Sequence, residues 1–232
     1  MKLKFKTALL VAVAACSSVA SAITQDFLQN LVDTNGSLSI GDKTFSGFGY
    51  LASNLADFNP SNIKVEAKQI GSTYFLSWTG NISVAGTGLV TGDLALSYTV
   101  TASAGIITEI DQRYAGNVVN GIGAVAISEI VANSKGLGVG NSNLSLGDIV
   151  DDAWNVEGDD ELVLKYGGDS VLYVVKDIAL AVLANQGQLG FASISYVEQS
   201  FHQENRVPDG GSAVALLGIA LVGLQGLRRK MR

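Results

Sequence analysis

The chain has 232 residues, 47% of them hydrophobic and only 16% charged, against ~25% charged in an average soluble chain. Its 27 glycines and 2 prolines lack a collagen repeat, and the low charge excludes a disordered polyelectrolyte. Basic residues crowd the two ends, whereas all 21 acidic residues lie between 23 and 209 against eight basic ones. An acidic middle repels phosphate, so nucleic acid is excluded as a partner.

Residues 1–22 read as a secretory signal. Lys2, Lys4 and Lys6 precede an apolar run from Ala8 to Ala15, and Ala20-Ser21-Ala22 supplies the small-x-small site of a signal peptidase. Cleavage is expected after Ala22. A competing reading is Val13-Ala14-Ala15-Cys16, which resembles a bacterial lipobox with Cys16 as the lipidated residue. Cys16 is the only cysteine. The body therefore forms no disulfide, zinc thiolate or thiol nucleophile.

Ile23, Phe27, Leu28, Leu31 and Val32 recur on one helical face, which predicts a helix over 23–34 capped by Thr24 and stopped by Asn35-Gly36. The period then changes to two. Ile63, Val65 and Ala67 alternate with polar residues, as do Tyr74, Leu76 and Trp78, and then Leu94, Leu96, Tyr98 and Val100. These are strands with one buried face. Further strands are expected near 106–114, 122–132, 171–183 and 190–202. Val171 to Val175 are apolar on both faces, which suits a central strand. Ala192, Ile194 and Tyr196 alternate inward before Val197 shifts the phase, which suggests a β-bulge. Many strands, glycine-rich turns and few helices predict an all-β fold, an antiparallel β-sandwich of jelly-roll-like form.

Reaction chemistry is sparse. His202 is the only histidine; alone it builds no multi-histidine zinc site, and it is read as a solvated strand-end residue. No Gly-x-Ser-x-Gly elbow is present. Glu109-Ile110-Asp111 matches the start of a Glu-x-Asp-x-x-Glu strand found in jelly-roll glycoside hydrolases. Gln112, Arg113 and Tyr114 follow, so the last acid is missing and the carboxylates read as solvated. Asp151, Asp152, Glu157, Asp159, Asp160 and Glu161 crowd what reads as one acidic loop, with Asp159 and Asp160 as calcium candidates against a merely solvated loop. Gly136 to Asn141 is a turn-rich loop without a phosphate-binding pattern. Trp78, Trp154, Tyr74, Tyr98 and Tyr196 form either a sugar-stacking platform or core, and strand spacing favours core except for Trp154. No cofactor is expected.

The C-terminal end carries the most specific signal. Val207-Pro208-Asp209-Gly210-Gly211 precedes Ser212, an apolar run from Ala213 to Leu227, and Arg228-Arg229-Lys230-Met231-Arg232. Fifteen helical residues span about 22 Å, short of a ~30 Å hydrocarbon core unless Gly210 to Ser212 are added. The cluster Arg228, Arg229, Lys230 and Arg232 stays cytoplasmic. This tail resembles the PEP-CTERM sorting signal of Gram-negative bacteria, in which an exosortase, a membrane protease, processes the chain near the motif. The usual Val-Pro-Glu-Pro is replaced here, in the manner of a Val-Pro-Asp variant class. An ordinary single-pass anchor is the other reading. Ile107 to Gln112, Val175 to Leu180 and Gln199 to Gln203 also resemble passenger regions of PEP-CTERM proteins. The expected organisation is a signal at 1–22, a β-sandwich domain at 23–202, a linker with the motif at 203–212, and a transmembrane helix with basic tail at 213–232. The resemblance implies an exported surface or matrix protein, held transiently at the cytoplasmic membrane, with an exosortase-like protease as partner. The missing third acid, the single histidine and the cysteine-free body point to a non-enzymatic role, structural, adhesive or associated with exopolysaccharide; a carbohydrate-active enzyme is the alternative.

Overall fold

The computed structural model describes the backbone of residues 23–150 and 156–204, and the side chains of that span outside 145–159. The signal site at Ala20 and Ala22, Cys16, Trp154, Asp151, Asp152, the sorting motif, the apolar run and the basic tail lie outside the described residues. So does the side chain of Asp159. Among the described residues no helix is long and apolar enough to cross a membrane.

Twelve strands are described: β1 (Ile23–Phe27), β2 (Leu38–Ile40), β3 (Lys43–Ser53), β4 (Lys64–Ile70), β5 (Thr73–Gly86), β6 (Leu89–Ala102), β7 (Ile106–Val119), β8 (Gly121–Asn133), β9 (Gly138–Val150), β10 (Val156–Val163), β11 (Val171–Ala184) and β12 (Gly190–Glu204). One short helix, α1 (Leu28–Asp33), follows β1. Sheet A runs β1-β4-β5-β12-β7-β10 and sheet B runs β2-β3-β6-β11-β8-β9. Every pairing is antiparallel.

The last eight strands pair in a nested order: β5 with β12, β6 with β11, β7 with β10, and β8 with β9. β7 and β8 then seat against β12 and β11. A chain that folds back on itself in this way and rolls up, crossing between the sheets at each step except the β8–β9 hairpin, has the strand order of a jelly roll. The four earlier strands widen both sheets at one edge. Rolling requires very short crossings between sheets. Asn120 alone joins β7 to β8, with φ 54°, a left-handed turn that asparagine tolerates well.

Burial alternates residue by residue in the two neighbouring strands β6 and β11. In β6, Leu94, Leu96, Tyr98, Val100 and Ala102 are buried; in β11, Leu172, Val174, Ile178, Leu180 and Val182 are. An aromatic cluster closes one end of the core across both sheets. Phe45 and Tyr98 from sheet B meet Trp78 and Phe201 from sheet A, with ring centroids 5.2 Å apart for Phe45–Phe201 and 5.3 Å for Trp78–Tyr98. Truncating one such ring to alanine costs about 3–5 kcal/mol.

Several expectations are corrected. The helix predicted over 23–34 is half strand: Ile23–Phe27 pairs with β4, because tertiary pairing overrides the weak propensity of so short a segment. Thr24 is therefore no cap, and Phe27 holds that place without a side-chain hydrogen bond. The Asn35-Gly36 stop is as expected, with Asn35 at φ 49° and Gly36 N–H donating to Leu31 O at 2.8 Å. Gly138 to Asn141 open strand β9, so only 134–137 is turn. Glu157 to Glu161 are not a loop but strand β10, paired with β7. The bulge in β12 falls between Ile194 and Tyr196, which turns Tyr196 outward rather than inward. β11 is central, yet Tyr173 and Val175 face solvent on its outer side.

Candidate functional site

The outer face of sheet A gathers the chemistry. Beyond its bulge, β12 turns Tyr196, Glu198, Ser200 and His202 outward. Register places Arg113, Asp111 and Glu109 of β7 directly beside Glu198, Ser200 and His202. On the other flank β5 sets Phe75 beside Ser200, and β4 sets Lys68 beside Phe75. β10 adds Glu161 beside Asp111. A shallow depression of about 250 Å³ opens here, lined by Thr73, Phe75, Asp111, Arg113, Ser200 and His202 among others.

Glu198 anchors the upper half. Its side chain is 2% exposed, yet it lies 2.8 Å from Lys68 Nζ and 2.5 Å from Arg113 Nη2. The Tyr196 hydroxyl donates to Glu198 Oε2, the oxygen that Lys68 also meets, while Arg113 meets Oε1. Burial pushes the Glu198 carboxyl up, but hydrogen bonds from Lys68 and Tyr196 and the two cationic charges outweigh it and hold the group below the ordinary carboxylate value. The same crowding, burial first and then the hydrogen bond to Glu198, pushes the Tyr196 phenol up to about 12. Glu198 is thus a fixed anion, the opposite of a proton donor.

The lower half is a cluster around Asp111. Ser200 Oγ donates to Asp111 Oδ2 at 2.7 Å, and His202 Nε2 lies 2.8 Å from the same oxygen. Asp111 Oδ1 is buried and has no hydrogen-bond partner. One donor atom each from Glu109, Asp111 and His202 falls within 4.8 Å of the others. Two carboxylates and an imidazole at this spacing suit a divalent cation with open positions. They do not suit nucleophilic catalysis by Ser200. His202 meets both Ser200 and Asp111 through the same ring nitrogen, whereas a triad needs one nitrogen for each partner.

The expectations for this region divide. Glu109 and Asp111 share the outer phase of β7, as their spacing requires, but are partly buried by β10 and β12 rather than simply solvated. His202 is not a free strand-end residue; it is bonded to Asp111 and Ser200. Asp160 sits on β10 in register with Gln112, whose side chain is interior, and so is separated from the outward phase of Glu161. Trp78, Tyr74 and Tyr98 are core. Sequence reasoning missed Glu198, Arg113 and Lys68, because charged residues in the outward phase of a strand are ordinary until the register shows three of them meeting.

Comparison with known proteins gives the following. No curated protein matches the chain. Among solved structures, TmCBM61 in complex with β-1,4-galactotriose is similar over 68% of this chain and 89% of its own, at 14% identity and a TM-score of 0.30. A structure of infectious bursal disease virus, strain Gx, is similar over 81% of this chain and 56% of its own, at 9% identity and a TM-score of 0.41. The carbohydrate-binding module TmCBM27, solved in a study of mannan recognition, is similar over 77% of this chain and 98% of its own, at 8% identity and a TM-score of 0.27. Likenesses this distant carry no functional weight. Residues 206–231 match the family described as VPDSG-CTERM motif; the chain thus bears a C-terminal sorting motif of the PEP-CTERM type.

Proposed function

We propose that this is an exported surface or matrix protein, delivered by an exosortase-type system, whose β-sandwich associates with extracellular polysaccharide without cleaving it. The sorting motif at 206–231 supports the destination. The binding role rests on one observation: the outer face of sheet A holds Asp111, Arg113, Ser200 and His202 at fixed positions along an open depression beside Phe75. Charged groups and hydroxyls held by one another are already oriented for a polyhydroxylated chain, and the neighbouring ring offers it an apolar face.

The test is retardation of the purified protein in native gels containing acidic or neutral polysaccharides, with and without calcium. Asp111→Asn with His202→Ala is expected to weaken binding about tenfold, the loss of roughly one charge-assisted hydrogen bond. Retardation that is undiminished in this variant removes sheet A from the reading. A second reading, a carbohydrate-active enzyme, draws on the closeness of Glu109 and Asp111. Release of reducing ends that disappears in Glu109→Gln establishes that reading instead. For delivery, replacing Arg228, Arg229, Lys230 and Arg232 with Gln is expected to impair retention and processing; a mature protein that keeps its whole tail makes the tail an anchor only.

A further inference from the structure

The interior contains a polar layer that the outer-face site does not use. Gln112, Glu129, Lys176 and Gln199 are each 0–2% exposed. Each takes the place of an apolar residue in an inward alternation: Gln112 between Ile110 and Tyr114, Glu129 between Ile127 and Val131, Lys176 between Val174 and Ile178, Gln199 between Val197 and Phe201. Register sets Lys176 opposite Glu129 within sheet B and Gln199 opposite Gln112 within sheet A. The two pairs face each other through the sandwich. Lys176 Nζ lies 2.5 Å from Glu129 Oε2 and 3.0 Å from Gln112 Oε1, the latter a contact from one sheet to the other. Gln112 Nε2 donates to Ser142 Oγ at 2.6 Å. The hydroxyls of Tyr98 and Tyr114 are buried nearby in the strands, each with no hydrogen-bond partner.

A buried ion pair is a poor source of stability, since desolvation costs several kcal/mol per ion and apolar replacements are often as good. A primary amine, a carboxamide carbonyl and a carboxylate brought together away from water are, however, the components of acyl transfer. We infer that Lys176 and Gln112 become joined by an intramolecular isopeptide bond, formed without a separate enzyme and with Glu129 as the proton carrier.

The step balances. Glu129 takes a proton from the Lys176 ammonium, leaving a neutral amine beside a neutral acid. Burial favours this, because it pushes the lysine down from its ordinary value against the opposing pull of Glu129. The amine lone pair attacks Cδ of Gln112, and the Cδ–Nε2 bond breaks. Glu129 hands its proton to Nε2 and takes up the second proton of the amine, so that Nε2 departs as ammonia, a secondary amide remains and Glu129 is left as a neutral acid. Nothing is oxidised or reduced. The carbonyl carbon is one bond (about 1.2 Å) from Oε1, so the amine is held within reach of it by the fold. That converts a slow bimolecular aminolysis into a unimolecular one. The product removes the charge of Lys176 from the core and ties β11 of sheet B to β7 of sheet A.

Tryptic digestion of the purified full chain, followed by mass spectrometry, tests this directly. Acylated lysine is not cut, so a linked pair is expected between peptide 69–113 and a peptide starting at Tyr166 and running through Lys176. The pair should be lighter than its two parts by one ammonia. Separate peptides, with cleavage at Lys176, overturn the inference. A pair joined through Glu129, lighter by one water, overturns the assignment to Gln112. Glu129→Gln is expected to abolish the link; a link that persists there excludes Glu129 as the proton carrier. The measurement on the unaltered chain decides the bond itself even where that variant does not fold.

Discussion

The outer faces of the two sheets share a backbone plan and differ in almost everything else. Sheet A presents Lys68, Glu198, Arg113, Asp111 and His202, each in contact with another polar group. Sheet B presents small, hydroxyl and apolar residues, with Asp93 and Asp177 as its acidic members. Ala124, Ala126, Ala179 and Ala181 floor a depression of about 280 Å³, and Tyr173, Val175, Ile130 and Leu183 stand exposed around that face. Both sheets satisfy the same interior demand, so the inward phase of every strand is committed to the core. Individuality is left to the outward phase. On sheet A that phase is interdependent, since each charge is held by an oppositely charged or hydrogen-bonding cross-strand neighbour; on sheet B the acidic Asp93 and Asp177 of neighbouring strands meet as like charges.

The sharpest break of this contrast is Glu198→Ala. It leaves Lys68 and Arg113 facing each other without their anion and strips Tyr196 of its acceptor. The expected loss is about 2 kcal/mol, below the figure for a fully buried pair because the two cations retain access to water. Thermal unfolding of the folded chain checks it. Acid should act on the same group. The Glu198 carboxyl in the folded protein lies below its ordinary 4.5, so its contribution is complete above that value and is lost as pH falls through the lower folded one. Glu198→Gln is expected to flatten the acid limb of the stability curve; an unchanged limb assigns acid sensitivity to other groups.

Sheet B should respond in the opposite sense. Burial first, and then the charge of Asp177, raise the Asp93 carboxyl above its ordinary 3.8. Its charge therefore destabilises the fold at neutral pH, and the penalty fades as pH falls through the folded value towards 3.8. Asp93→Asn is expected to stabilise by about 0.5 kcal/mol near pH 7 and by nothing in acid. The smallest effect belongs to Val175→Thr, an outward replacement expected to fall within about 0.5 kcal/mol of the parent. A larger change there means that the apolar face is packed against something.

Much of the scaffold was legible because burial on one side of a strand writes itself as period two. β4, β5, β6 and β12 were visible for this reason, as was a bulge in β12, whereas β11 showed as an apolar run. β3 and β9 were not. Gly47 and Gly49 in the one and Gly138, Gly140 and Asn141 in the other dilute the apolar signal, and glycine reads locally as turn. Glu157 to Glu161 were read as a loop, since nothing in an acidic run reveals that β7 offers it a partner. The candidate site was half legible. The Glu109–Asp111 spacing announces a shared face, but His202, 91 residues away, joins them only through the register of β12 on β7. The buried layer did leave a trace: Lys176, Glu129, Gln112 and Gln199 each interrupt an apolar alternation, and a charge in the inward phase is worth marking wherever it occurs.

The place of β12 in sheet A has a mechanical consequence. The sorting segment follows Glu204 directly in the chain, and β12 is bonded along nearly its whole length to β5 on one side and β7 on the other. Tension applied through the C-terminal end therefore pulls along a central strand. Both ladders are loaded in shear, so many hydrogen bonds must yield together. β1, at the sheet's edge and paired only with β4, would instead peel one bond at a time. A tether leaving from the middle of a sheet is a strong point of attachment, and a domain held against flow by that end resists extraction far better than one held by its beginning.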